Sequence, residues 1–122
     1  MGDLRVLVVD DELEFIKTLA ERLELRDIRA DFVTTGEEAL ALIREKEYDV
    51  VILDMVLQSS RGLDVLKEIK RIRPGLAVIF ISGRGCERDF MECKQEGAFD
   101  YLIKPVQIEQ LIKKMKQAVQ SS

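Results

Sequence analysis

The chain has 122 residues, enough for one domain with a substantial core, and its 47% hydrophobic and 34% charged residues are those of an ordinary globular protein without repeats or low-complexity tracts. The net charge of −4 is spread along the chain in both signs, which excludes the basic footprint of direct nucleic-acid binding. No apolar run approaches the roughly 20 residues of a membrane helix, and "MGDLRVLVVDDE" is too short in apolar residues for a signal peptide, so a cytoplasmic chain without membrane contact is expected.

In chain order, the first apolar run is "LRVLVV" (4–9), which stops abruptly at Asp10, Asp11 and Glu12. A helix is predicted over 11–25, with Leu13, Ile16, Leu19, Ala20 and Leu23 on its buried face. "ADFV" (30–33) is a weaker strand pattern, followed by "TTGEEALALIREK", where Thr35 and Glu38 are spaced for a capping box and Ala39, Leu42 and Ile43 form the stripe. "DVVILD" (49–54) is nearly continuous in apolar character. Leu63, Leu66 and Ile69 then mark a helix over 62–72 that Pro74 and Gly75 end. "LAVIFI" (76–81) precedes a weaker helix over 86–96, closed by Gly97. "FDYLI" (99–103) leads to a last helix over 107–119, with Ile108, Leu111, Ile112, Met115, Ala118 and Val119 in its stripe.

Strand and helix therefore alternate five times. Nearly continuous apolar strands suit burial on both faces, as in a parallel sheet with helices on each side. In such a sheet ligands collect outside the carboxyl ends of the strands, at the switch point in strand order. The residues there are Asp10, Asp11 and Glu12 after the first strand, Asp54 after the third, Ser82 and Gly83 after the fourth, and Lys104 and Pro105 after the fifth. Taken singly, each has an ordinary use: a helix cap, a turn residue or a solvated lysine. Four of five strand ends carrying such groups is harder to credit to chance.

The chain has no histidine, which removes the usual general base, the usual zinc ligand and any Ser-His-Asp arrangement. Its two cysteines, Cys86 and Cys93, read as reduced packing residues of a cytosolic chain. Three carboxylates facing one another call for a cation, and oxygen-only ligands suit a hard ion such as Mg²⁺. Such an ion keeps open positions for phosphate oxygens, so phosphoryl transfer is the expected chemistry, with the ammonium and hydroxyl meeting the other oxygens. Asp54, Ser82 and Lys104 are the candidate nucleophiles. Asp54 is chosen because it closes the central strand outside the acidic pair, and a carboxylate can form an aspartyl-phosphate.

"VLVVDDE", "DVVILDMVLQSSRG", "VIFISGRG" and "GAFDYLIKP", in this order and spacing, make the chain resemble a two-component response-regulator receiver domain of the chemotaxis-regulator-like kind, over essentially its whole length (1–122). The resemblance implies a flavodoxin-like, doubly wound (βα)5 fold with strand order 2-1-3-4-5. It implies Asp54 as phosphoacceptor, Asp11 as a direct Mg²⁺ ligand, Asp10 as a ligand mainly through water, and the backbone carbonyl of Val56 as the remaining protein ligand. It further implies Ser82 and Lys104 as phosphoryl contacts, Ser82 and Tyr101 as the switch pair, a cis peptide before Pro105, and Gly62 as the glycine eight residues after the acceptor. The implied function is a signalling switch rather than a turnover enzyme. A histidine kinase or a histidine phosphotransfer protein would donate the phosphoryl group. An output domain or protein partner would read the surface of the fourth helix, fifth strand and fifth helix, a phosphorylation-dependent homodimer being one form of partner. Cys86 and Cys93 are expected on that surface.

Three departures stand out. Leu57 and Gln58 replace a frequent Met-Pro and should loosen their loop, because Pro fixes φ and Gln does not. Gly83 replaces a frequent Ala. Val56 and Arg84 lie where family members vary and tune phosphoryl lifetime, and an apolar Val56 implies slow autodephosphorylation. The competing readings are weaker. A pseudo-receiver would lack the acceptor, an acid or the lysine. A phosphatase would want a second acid near the acceptor, where Met55 and Val56 stand. A flavin carrier would not place three acids where a phosphate binds. The sequence ends at Ser122, just past the fifth helix, so no output domain is expected in this chain, whether free-standing or excised from a longer protein.

Overall fold

The computed structural model describes residues 4–58, 60–83 and 87–121. Ten elements alternate: β1 (Arg5–Val9), α1 (Leu13–Glu24), β2 (Arg29–Val33), α2 (Gly36–Glu45), β3 (Val50–Asp54), α3 (Gly62–Ile72), β4 (Ala77–Ser82), α4 (Glu87–Gln95), β5 (Asp100–Ile103) and α5 (Ile108–Ser121). All paired strands are parallel, in the order β2-β1-β3-β4-β5. This is the expected order, and its reversal falls between β1 and β3.

The period of two along each strand divides the core into two layers. Leu7, Val9, Val51, Leu53, Val78 and Phe80 point to one face, under Ala39 and Ile43 of α2, Leu66 and Ile69 of α3, and Cys93 of α4. Val6, Val8, Ile52, Ile79 and Ile81 point to the other, under Ile16, Leu19 and Leu23 of α1 and Leu111, Met115 and Ala118 of α5. β1, β3 and β4 are buried on both faces, hence their unbroken apolar runs. β2 is an edge strand whose residues are half-buried or exposed, which is why its pattern is faint.

Local signals act as read. Thr35 Oγ1 accepts the Glu38 N–H at 3.1 Å and caps α2. Gly97, at φ 111°, closes α4 in a conformation that strains other residues. Two expectations are corrected. Leu13 is the first residue of α1, above the sheet edge and out of reach of the core, so it is exposed. Cys93 faces the core beside Leu63 and Leu66 instead of the surface, because α4 turns that side toward the sheet. Cys86, Arg84 and Ser59 lie outside the described residues.

Candidate functional site

The register of the central strands assembles the site. Val9 pairs with Leu53, so Asp10 and Asp54 leave the sheet at the same level. Asp54 pairs with Ile81, and the Met55 N–H donates to the Ile81 carbonyl at 3.0 Å, which sets Ser82 beside the acceptor strand. The Lys104 N–H donates to the Ser82 carbonyl at 2.7 Å, so β5 delivers Lys104 to the same edge, and the Lys104–Pro105 peptide is cis. Asp11, Glu12, Asp54, Val56, Ser82, Gly83 and Lys104 line an open cleft of about 910 Å³.

One carboxylate oxygen each from Asp10, Asp11 and Asp54 lie within 4.8 Å of one another. Asp10 and Asp54 are buried, and Asp11 is half-buried. Three N–H groups offset part of the charge: Glu12 donates to Asp10 Oδ1 at 2.9 Å, Gln58 to Asp11 Oδ2 at 2.8 Å and Val56 to Asp54 Oδ1 at 3.2 Å. Lys104 Nζ lies 2.7 Å from Asp10 Oδ2 and 3.7 Å from Asp54 Oδ2. Burial would lower this ammonium's pKa, but Asp10, Glu12 and Asp54 outweigh it and hold it above the ordinary lysine range. Asp54 is pushed up to about 6, first by burial and then by the charges of Asp10 and Asp11, against the Val56 N–H and Lys104.

The residues fit a divalent cation. Asp10 Oδ2 is fully buried, and among the described residues no hydrogen bond is aligned on it, the Lys104 contact being an ion pair only. An all-oxygen donor set around it suits a hard ion.

Gly62 is fixed by space. A Cβ there would stand 2.5 Å from the Asp54 carbonyl oxygen and 2.8 Å from the Phe80 ring, so α3 starts directly against the acceptor strand. At Gly83 an added Cβ would meet nothing within 4 Å among the described residues, so the departure from Ala is not forced by crowding. The loop with Leu57 and Gln58 is tied rather than loose. Leu57 is buried and its N–H donates to Ser60, Val56 and Arg61 form an antiparallel bridge, and Gln58 uses on Asp11 the N–H that a proline would lack.

The family model of the response regulator receiver domain matches residues 6–116. The chain belongs to the response-regulator receiver family. This receiver domain is thus a signalling switch of two-component systems, in a family of phosphoacceptors. It is 37% identical over 120 residues to a putative NtrX-like response regulator of Rickettsia typhi and 30% identical over 118 residues to the transcriptional regulatory protein ZraR of Salmonella typhimurium. Each match covers 97% of this chain but 25% and 27% of those proteins, so the receiver spans about a quarter of these curated relatives. Among solved structures it resembles the receiver domain of NtrX from Brucella abortus (34% identity, TM-score 0.89, 96% of this chain and 99% of that one). It also resembles a receiver domain protein from Clostridium thermocellum (33% identity, TM-score 0.91, 97% and 95%).

Tyr101 stands apart from the cleft. It is half-buried on β5, its ring centroid 4.0 Å from that of Phe90 on α4, and Lys94 lies 5.7 Å from the Phe90 ring. Sequence reasoning missed this stack, because Phe90 carried no pattern that tied it to Tyr101. It also missed the side-chain contacts of Glu12 and Phe15 with Lys104. Their spacing of three, which puts both on one side of the first turn of α1, was the available signal.

Proposed function

We propose that residues 1–122 form one receiver unit in which Asp54 accepts a phosphoryl group from a phosphohistidine of a histidine kinase or a histidine phosphotransfer protein. The observation that carries this is the Asp54 carboxylate at the end of the central strand, clustered with Asp10 and Asp11 and 3.7 Å from Lys104. An Asp54 oxygen attacks phosphorus, the new P–O bond forms as the P–N bond to the donor imidazole breaks, and the leaving imidazole takes up a proton from solvent. Mg²⁺, held by Asp11, Asp54, the Val56 carbonyl and, through water, Asp10, would neutralise the charge that builds on the transferring group. Lys104 and Ser82 bind its remaining oxygens.

The added charge then draws Ser82 and Lys104 inward, and Tyr101 changes place on the surface of α4, β5 and α5. An output domain or protein partner reads that surface, and a homodimer formed there is one such partner. The domain itself takes no part in nucleic-acid contact. It is a switch rather than a turnover enzyme, it acts in the cytoplasm, and its autodephosphorylation is slow because the side chain at Val56, exposed at the mouth of the cleft, cannot orient water. No helix among the described residues is long and apolar enough to cross a membrane.

Incubation with acetyl phosphate and Mg²⁺, followed by intact mass and backbone NMR, tests the reading. The expected result is one phosphoryl adduct, lost in Asp54→Asn, with shifts that reach Tyr101. An unmodified chain that fails to bind Mg²⁺ would instead be a pseudo-receiver. A phosphoryl half-life of seconds, unaltered in Val56→Asn, would overturn the account of slow loss.

A further inference from the structure

An acid at the start of a helix ordinarily serves the helix N-terminus, where its charge is favoured. Glu12 stands at the N-cap of α1, but its side chain makes no capping hydrogen bond. Its Oε1 lies instead 2.6 Å from Lys104 Nζ. The ammonium is thus in contact with Glu12 and Asp10 and a full ångström farther from Asp54, at 3.7 Å. Phe15, on the same side of the first turn, sets its ring centroid 4.8 Å from the ammonium. The resting place of Lys104 is therefore built from Asp10, the N-cap residue Glu12 and Phe15 in the first turn of α1.

The partners differ in what they can release. Asp10 is fully buried, so stripping its cation leaves an uncompensated charge out of reach of water. The Glu12 side chain is 64% exposed, and water takes over from a cation that leaves it. Glu12 is the contact that can be broken and remade.

We propose that Glu12, backed by Phe15, is a positioning residue that parks the Lys104 ammonium off the acceptor in the resting state and competes for it with the phosphoryl group. The proposal rests on the reading of Asp54 as acceptor. In the resting arrangement one N–H of the Lys104 ammonium is spent on Glu12 at 2.6 Å, with Nζ 3.7 Å from Asp54 Oδ2, so Glu12 and a phosphoryl group at Asp54 draw on the same donor. Loss of that contact precedes or accompanies capture of the phosphoryl oxygens. Neutralising Glu12 therefore lowers the barrier to phosphoryl gain without touching the acceptor, the acidic pair or the lysine.

The test compares the wild-type chain with Glu12→Gln and Glu14→Gln. Glu14 is also an exposed acid of the first turn of α1, so its neutralisation removes the same charge from the helix end and from the field met by an anionic donor. Two readouts are taken: the rate of phosphoryl gain from acetyl phosphate with Mg²⁺, by intact mass, and the NMR signal of the Lys104 side-chain methylene next to Nζ in metal-free protein. Glu12→Gln should raise the rate roughly two- to fivefold, the range for a largely exposed ion pair, and should shift and sharpen the Lys104 signal. Glu14→Gln should leave both at their wild-type values. An unmoved Lys104 signal in Glu12→Gln overturns the proposal, as does an unchanged rate or an equal rise in both variants. A wild-type chain that gains no phosphoryl group refutes Asp54 as acceptor, and the Lys104 signal still decides whether Glu12 parks the lysine.

Discussion

The two ends of the sheet handle charge in opposite ways. At the amino end, Asp31 accepts from the Tyr48 hydroxyl at 2.5 Å and from Lys46 at 3.3 Å, and Asp49 accepts the Arg5 N–H at 2.8 Å. Burial and then Asp31 hold the Tyr48 hydroxyl above its ordinary range, so it stays protonated and bound. At the carboxyl end three acids share one cluster, and the ammonium of Lys104 is divided among Asp10, Glu12 and Asp54. The first arrangement is complete within the chain. The second is completed only by something added, and that difference separates a structural end from a working end of one scaffold.

The same substitution at each end gives the widest separation. Gly62→Ala, at the carboxyl end, should cost about 3 kcal/mol, the upper range for overpacking, because the atoms in its way are the Asp54 and Met55 backbone and the buried Phe80 ring. Gly75→Ala, in the turn before β4 at the amino end, meets nothing within 4 Å among the described residues and should be near neutral by urea unfolding. Mg²⁺ comes next. At a hundred times its dissociation constant it should add about 2.7 kcal/mol of stability, an increment that Asp11→Asn removes and Tyr48→Phe leaves intact in thermal or urea unfolding.

Proton linkage gives a third contrast, in metal-free protein. The folded-state pKa of Asp54, about 6, lies above its ordinary 3.8, so the folded chain holds the proton more tightly. The stability this contributes is complete below pH 3.8 and is lost as pH rises through about 6. Asp54→Asn should therefore be more stable than wild type by about 3 kcal/mol at pH 7, and the gain should vanish in unfolding curves taken below pH 3.8. A smaller contrast belongs to the amino end. Tyr48→Phe removes one hydrogen bond to Asp31 and should cost about 1 kcal/mol, equally with and without Mg²⁺. A Tyr48→Phe cost that changed on adding metal would break the separation of the two ends.

How far the sequence could be read follows from where each signal is encoded. β1, β3 and β4 are buried on both faces, so their apolar runs located them to within a residue of Arg5–Val9, Val50–Asp54 and Ala77–Ser82. The placement of Asp10, Asp54, Ser82 and Lys104 at one edge follows from strand ends alone once the sheet is parallel. What stayed hidden depends on side-chain direction across elements distant in sequence. Glu12 and Lys104 are 92 residues apart, and no periodicity relates them. Cys93 was misplaced because α4 has a weak stripe, which left its inward face undefined. The departure at Gln58 was visible, but its use was not: the N–H that replaces proline's ring is spent on Asp11.

The stack of Tyr101 on Phe90 also makes the domain its own optical gauge. The chain has no tryptophan and only two tyrosines, so its near-ultraviolet emission comes from Tyr48 and Tyr101. One ring is anchored to Asp31 at the amino end of the sheet, and the other lies against α4 on the proposed output surface. In Tyr48→Phe a single emitter remains, and its intensity and anisotropy follow the Tyr101 ring directly, in real time and without a dye.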